Sequence, residues 1–276
     1  MDTLIMAGQL ILSLSILITL HELGHFLAAR AFGIKVEKFY LFFDAWGFKL
    51  ISFTYKGCEY GIGWLPLGGY VKIAGMIDES MDTEQMASEP KIWEFRSKAA
   101  WKRMIVMLAG IIVNIIVGVF LFWMLTFSSQ KNAVAGNNTL THKSTSHLFI
   151  QSLPVGASKT WDIFSANAKG LGQVFTGEIN ASQAFKGPIG IATLFGNSVN
   201  WFKFWTLTGV LSIALALMNL LPIPALDGGH AVFLLIEMIK GSPLSIKFME
   251  RAQLAGFVIL LGLMVFTFGN DIIQLL

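Results

Sequence analysis

The sequence has one cysteine, Cys58, and few charged residues. A single thiol excludes an intrachain disulfide framework and any CxxC metal site. Charged residues fill 13% of the 276 positions, hydrophobic residues fill 54%, and mean hydropathy is +0.64. A soluble domain carries about twice that share of charge, so the composition implies a polytopic membrane protein. The net charge of +3 is modest and scattered over loops, which excludes nucleic acid as a partner. The N-terminus lacks a basic n-region and an A-x-A cleavage site. The first apolar segment is therefore expected to be a retained span, not a signal peptide. There is no internal repeat, and no low-complexity tract beyond one polar linker.

What the chain does have is apolar runs. Four are long enough to cross the hydrocarbon core, which takes about 20 helical residues: 4–31, 101–127, 204–239 and 252–275. The third is interrupted by "NLLPIPALDGG" (219–229). Two prolines and two glycines break a helix, and a membrane tolerates such backbone only where protein or a water-filled cavity covers it. The expected fold is an all-α polytopic membrane protein with four transmembrane helices, the third broken, and a membrane-associated β-hairpin after the first. Residues 48–73 carry the hairpin signal, alternating apolar and polar residues around "KG". The tip "GIGWLPLGG" is apolar enough to dip into the membrane. Residues 128–147 read as a polar linker in which His142 and His147 are solvated, and 157–203 as an amphipathic or surface-lying segment.

Lysine and arginine cluster in 30–38, 91–103 and 240–251, while neither terminus is basic and the six lysines between spans two and three are widely spaced. By the positive-inside rule, both termini and the loop between spans two and three are extracytoplasmic.

The first span ends in "HELGH". Residues i and i+4 share a helix face, so His21 and His25 can direct imidazole nitrogens at one zinc ion, with Glu22 beside it as a base. An ionisable group inside a span costs on the order of 2–3 kcal/mol, so three together need compensation. A bound Zn2+, contributing roughly 10–16 kcal/mol in structural sites, offsets that. A catalytic zinc usually has three protein ligands. Asp227, in the broken third span, is the candidate third ligand, and His230, three residues on, is its rival. Asp44 and Asp78 fall in a cytoplasmic loop, where water satisfies them. Gly228 and Gly229 are expected to let this backbone approach the first helix closely. A different reading, a zinc-binding protein of metal transport or sensing, calls for a path of intramembrane ligands. The spans offer few beyond Asn114, Asn219 and Asp227.

"HELGHFLAARAFGIKVEKF" together with "LMNLLPIPALDGGHAVFLLIE" resembles the site-2 protease family of intramembrane zinc metalloproteases, of the bacterial RseP type. "LPLGGYVKI" (65–73), "FRSKAAWKRMIVMLAGIIVN" (95–114) and "GPIGIA" (187–192) extend the likeness over nearly the whole chain. The resemblance implies His21, His25 and Asp227 as zinc ligands, Glu22 as catalytic base and Asn219 as a contact to the substrate backbone. It implies a membrane-dipping β-hairpin at 48–64, whose exposed edge around Gly61, Ile62 and Gly63 could take an unwound substrate segment as an added strand. It further implies single-span membrane proteins as substrates and the bacterial cytoplasmic (inner) membrane as location. The catalytic halves would be 1–127 and 204–276. Residues 128–203 stand where such relatives carry PDZ domains, which leaves a short flexible linker there. In "AGIIVN", Ile111 replaces the family's proline and is expected to straighten the second helix.

Overall fold

The computed structural model describes residues 2–66, 68–76, 89–135 and 142–275. In chain order the elements are α1 (Asp2–Ala31), β1 (Val36–Leu41), β2 (Lys49–Tyr55), β3 (Cys58–Gly63) and β4 (Tyr70–Ile73). Helices α2 (Ala100–Ala135), α3 (His142–Phe175), α4 (Ala181–Ala184) and α5 (Pro188–Phe195) follow, then α6 (Trp201–Leu220), α7 (Asp227–Lys240) and α8 (Ile246–Leu275). Short 3-10 turns occur at Ala45–Gly47 and Phe95–Ser97. Among the described residues four helices are long and apolar enough to cross a membrane: Asp2–Ala31, Ala100–Ala133, Trp201–Leu220 and Ile246–Gln274. The chain is thus a mostly helical, multi-pass protein with one small sheet.

Several expectations need correction. The third apolar stretch, expected at 204–239 with a break at 219–229, comprises two helices, α6 and α7, joined by residues 221–226, and α6 alone is long enough to cross a membrane. Pro222 and Pro224 cannot donate to a helical ladder, and α6 stops just before them. The β-hairpin is half of a four-stranded sheet of order β2-β3-β1-β4. The β2–β3 hairpin turns at Lys56 and Gly57, both at positive φ, as a two-residue hairpin loop requires. β1 then pairs with β3 in parallel and with β4 antiparallel. β3 is consequently an interior strand: Gly61 and Ile62 are paired on both sides, and Gly63 pairs with Lys49 of β2. The free edges belong to β2 and β4. The segment read as a flexible linker is largely helical: α2 continues to Ala135 and α3 starts at His142, with His147 exposed on it. Residues 136–141 lie outside the described set, as do Leu67 and Asp78. α2 runs unbroken through Ile111, as the loss of a proline there suggests.

The molecule forms two compact units that do not follow the contiguous boundaries at 127/128 and 203/204, because long helices thread both. One comprises 1–13, 114–217 and 266–276. In it Gly118 and Gly209 seat the side chains of Ile213 and Phe122, so α2 and α6 meet without gaps. Small residues at such crossings are the usual means of close helix approach in membranes. The Ser212 hydroxyl donates to the Asn114 carbonyl at 2.7 Å, and Ser13 and Thr208 share a hydrogen bond of 3.0 Å. α3 packs along α2 at Gly156, where a Cβ would stand 2.5 Å from the Trp123 backbone nitrogen. Asp271 accepts from the backbone N–H groups of Gly187 and Gly190, capping the start of α5.

The other unit comprises 14–113 and 218–265. Its core gathers Ala29, Ile34, Val36, Cys58, Ile73, Phe95, Val106, Met107 and Leu234 from α1, the sheet, α2 and α7. Tyr40, fully buried on β1, donates its hydroxyl to Glu59 at 2.7 Å, and the Lys49 ammonium donates to the same carboxylate at 2.5 Å. Three strands are tied at one point. Those donors hold the Glu59 carboxyl below the usual carboxylate range.

Candidate metal centre

The site lies within this second unit. His21 and His25 fall one turn apart on α1 and are 7% and 6% exposed. Asp227 is the first residue of α7. A carboxylate there faces the positive end of the helix dipole, which favours its charged form. The structure brings the three together: His21 Nε2 is 3.2 Å and His25 Nε2 3.3 Å from Asp227 Oδ2, and the two Nε2 atoms are 3.2 Å apart.

The tautomer of His25 follows from its second nitrogen. Nδ1 lies 2.8 Å from the Val106 carbonyl oxygen. A carbonyl only accepts, so Nδ1 carries a proton, and in the neutral ring Nε2 turns a lone pair toward the cluster. Fixing a ligand imidazole through a backbone carbonyl in this way is how metal sites orient histidine.

Two observations test whether these residues suit a metal ion. Asp227 Oδ2 is buried without a hydrogen bond among the described residues, facing two imidazole nitrogens. An acceptor so placed needs a cation or a proton. The separations also match: ligand atoms bound at 2.0–2.1 Å in a tetrahedral arrangement lie about 3.3 Å apart, and the observed triangle is 3.2, 3.2 and 3.3 Å. The donor set, two imidazoles and one carboxylate, is one that catalytic zinc uses. It fits. Among the described residues these are the side chains grouped to hold an ion.

His230 is not brought to this cluster. It lines a small cavity of about 30 Å³ with Phe95, Arg103, Phe233 and Glu237. Asn219, near the end of α6, places Nδ2 3.4 Å from His21 Nε2, within the site's immediate surroundings. Glu22 lies beside the turn leading into β4: a Cβ built on Gly69 would stand 3.5 Å from Glu22 Cγ and 2.7 Å from Ile18 Cγ2. Tyr70, next in chain, donates to Asp44 Oδ1 at 2.9 Å, and burial with that bond pushes its phenol pKa up, so it stays a donor.

Gly228 and Gly229 meet their own loop first. Cβ atoms there would collide with the carbonyl oxygens of Leu220 at 2.4 Å and Ile223 at 2.2 Å. These glycines let the start of α7 fold back on its own 220–224 loop, which supplies the nearest atoms. The glycines that bring helices together at the site are Gly24 and Gly110, which sequence reasoning missed. A Cβ on Gly24 would lie 2.7 Å from the Ala109 carbonyl oxygen. One on Gly110 would lie 2.4 Å from His25 Nε2. The signal was present as "LAG" in α2, but a helical glycine identifies its neighbour only once the helices are docked.

Comparison with known proteins extends these observations. A family model described as peptidase family M50 matches residues 9–263. The metalloprotease MmpA of Caulobacter vibrioides is 26% identical over 385 aligned positions, covering 98% of this chain and 96% of that protein. A Clostridium perfringens protein provisionally named a zinc metalloprotease is 28% identical over 342 positions, covering 95% of this chain and 97% of that protein. An Agrobacterium fabrum protein with the same kind of name is 28% identical over 362, covering 96% of this chain and 95% of its own length. These alignments are longer than the 276 residues here, so the relatives contain inserted segments that this chain lacks.

Proposed function

The chain belongs to peptidase family M50, and we propose that it works as a zinc metalloprotease that hydrolyses peptide bonds within or near the transmembrane segments of single-span membrane proteins. The observation that carries this reading is the buried triangle of His21 Nε2, His25 Nε2 and Asp227 Oδ2, with sides of 3.2–3.3 Å. These three residues would hold the ion. When bound, zinc supplies Lewis acidity, lowering the pKa of its water from 15.7 to about 7.

Glu22, beside the two histidines on α1, takes the proton of the attacking water and returns it to the leaving amine. The products are a carboxylate and an amine, and Glu22 ends each turnover as it began. Asn219 holds the substrate backbone next to His21. A transmembrane helix hides its carbonyls in its own hydrogen bonds, so the substrate must unwind before it reaches Glu22. Gly61, Ile62 and Gly63 support this only indirectly, since β3 is interior. Of the two edge strands, β2 and β4, the one placed to accept an added segment is β4, at the end of the sheet beyond β1. The turn entering it runs past Glu22, and β-augmentation supplies the pairing.

We place the protein in the bacterial cytoplasmic membrane with both termini extracytoplasmic, from its lysine and arginine distribution, and assign it to regulated intramembrane proteolysis of anti-sigma-factor or signal-peptide-remnant substrates. The apolar side chains along β2 (Leu50, Ile51, Phe53 and Tyr55 are each more than half exposed) support immersion of the hairpin in the bilayer. The test is purified protein in detergent with a peptide spanning one substrate helix. Cleavage should stop on chelation and return with added zinc. Cleavage indifferent to chelator would remove the metal from the reaction.

A further inference from the structure

α2 holds two parts of the metal centre at once, through neighbouring turns. Val106 accepts from His25 Nδ1 at 2.8 Å. Three residues earlier on the same helix, Arg103 donates from a guanidinium Nη to the carboxylate of Glu237 on α7. Both side chains are largely buried, at 12% and 15% exposure. Arg103 also donates through Nε to the Lys98 carbonyl at 3.0 Å and lies over the Phe95 ring, 5.9 Å from its centroid. The guanidinium therefore joins α2, the turn at Phe95–Ser97 and α7. The turn is anchored in its own right, since Phe95 N–H donates to the Ala74 carbonyl at 2.8 Å.

The location of Glu237 is what makes this pair informative. It sits in the last turns of α7, where the helix dipole disfavours a negative charge. A glutamate there weakens the helix, and its partner lies on another element. Removing one member of a buried pair leaves an uncompensated charge, so this contact commits α7 to one position against α2. Asp227 is at the other end of the same short helix, ten residues away and about 15 Å along its axis.

We infer that Arg103 and Glu237 form a clamp that fixes α7 on α2 and so sets Asp227 against His21 and His25. Both are positioning residues; neither touches the metal cluster. The inference rests on the reading of His21, His25 and Asp227 as the metal site. α2 is then a common jig: one carbonyl orients a histidine of α1, and one guanidinium orients the helix that carries the carboxylate.

The experiment uses the full chain in detergent and measures affinity for zinc by competition with a chromogenic chelator. Cobalt absorption reports the coordination geometry, and melting of the metal-free protein runs in parallel. The variants are Arg103→Ala, Glu237→Ala and the charge-reversed pair Arg103→Glu with Glu237→Arg. Each single variant is expected to lower zinc affinity roughly 10- to 100-fold, the usual effect of losing a residue that supports a ligand, and to alter the cobalt spectrum. The reversed pair is expected to recover most of both. A Leu234→Ala variant, which loosens the same helix but keeps both charged partners, should lower the melting point while leaving the cobalt spectrum of the wild type. Wild type that binds zinc tightly, with both alanine variants binding equally well, would overturn the clamp alone. Loss of affinity that only tracks melting, or a folded reversed pair that recovers nothing, would also overturn it. A wild type that takes up no metal would overturn the metal-site reading, and the clamp with it.

Discussion

Gly110 leaves room for two imidazoles, and no other residue could. Even the single methyl of alanine would stand 2.4 Å from His25 Nε2 and 2.6 Å from His21 Cε1. At this scale the site is a set of steric and electronic permissions around His21, His25 and Asp227. The local part was legible in the sequence, because the four-residue spacing of two histidines on a helix requires no tertiary knowledge. Asp227 was legible too, as a carboxylate beside broken helix in an apolar stretch. His230 competed because spacing alone cannot say which face of α7 turns toward α1. The structure separates them, with Asp227 at the cluster and His230 against Phe233. We expect Asp227→Ala to lose most of its zinc and all peptide turnover, and His230→Ala to keep most of both. Metal content of the purified proteins decides between them, and the reverse pattern would exchange their roles.

Among the elements, the sheet was half legible. The β2–β3 hairpin has a two-residue turn and alternating side chains, both local signals. β1 is a short stretch close after α1, and β4 falls at the end of 48–73, the stretch that reads as one hairpin. Both become strands only by pairing with partners distant in sequence, including the parallel β1–β3 ladder. α3 was only half legible: its second part falls in 157–203, which reads as amphipathic or surface-lying, and its first part does not show. That first part is polar at the start and contains Pro154, so it lacks the look of a helix or a span. Packing on α2 through Gly156 stabilises it instead. A substrate strand at β4 has a sharp steric consequence at Gly69, where a Cβ meets Ile18 Cγ2 and the Tyr40 carbonyl oxygen, each at 2.7 Å. Overpacking of this kind costs about 1–3 kcal/mol. Gly69→Val is therefore expected to lower kcat/KM at least tenfold while zinc stays bound. Unchanged kinetics would place the substrate elsewhere.

On the scale of the whole molecule, three segments distant in sequence converge on one buried point: α1 supplies two imidazoles, α7 the carboxylate, and α2 the carbonyl that orients His25. A ligand that binds only such an assembled site stabilises the folded state by mass action, by about 4 kcal/mol at a thousandfold excess over its dissociation constant. Zinc should therefore raise the melting midpoint of the wild type, and Asp227→Ala should show little of that rise. Equal shifts in both proteins would mean that zinc binds elsewhere. The absence of the segments inserted in the relatives leaves this assembly whole, since every residue named in it lies within the matched range 9–263.

The division of labour between holding metal and moving a proton is the centre of the account, and Glu22→Gln tests it most directly. Glutamine keeps the shape of the side chain but cannot take up a proton from water. Zinc content and cleavage of a membrane-spanning peptide should be measured on the same purified sample, beside wild type. The expected result is wild-type zinc content with turnover reduced at least a hundredfold, the lower end of what a general base contributes. Turnover near wild type would contradict the assignment of Glu22 as the base. Loss of zinc together with activity would make Glu22 a ligand instead.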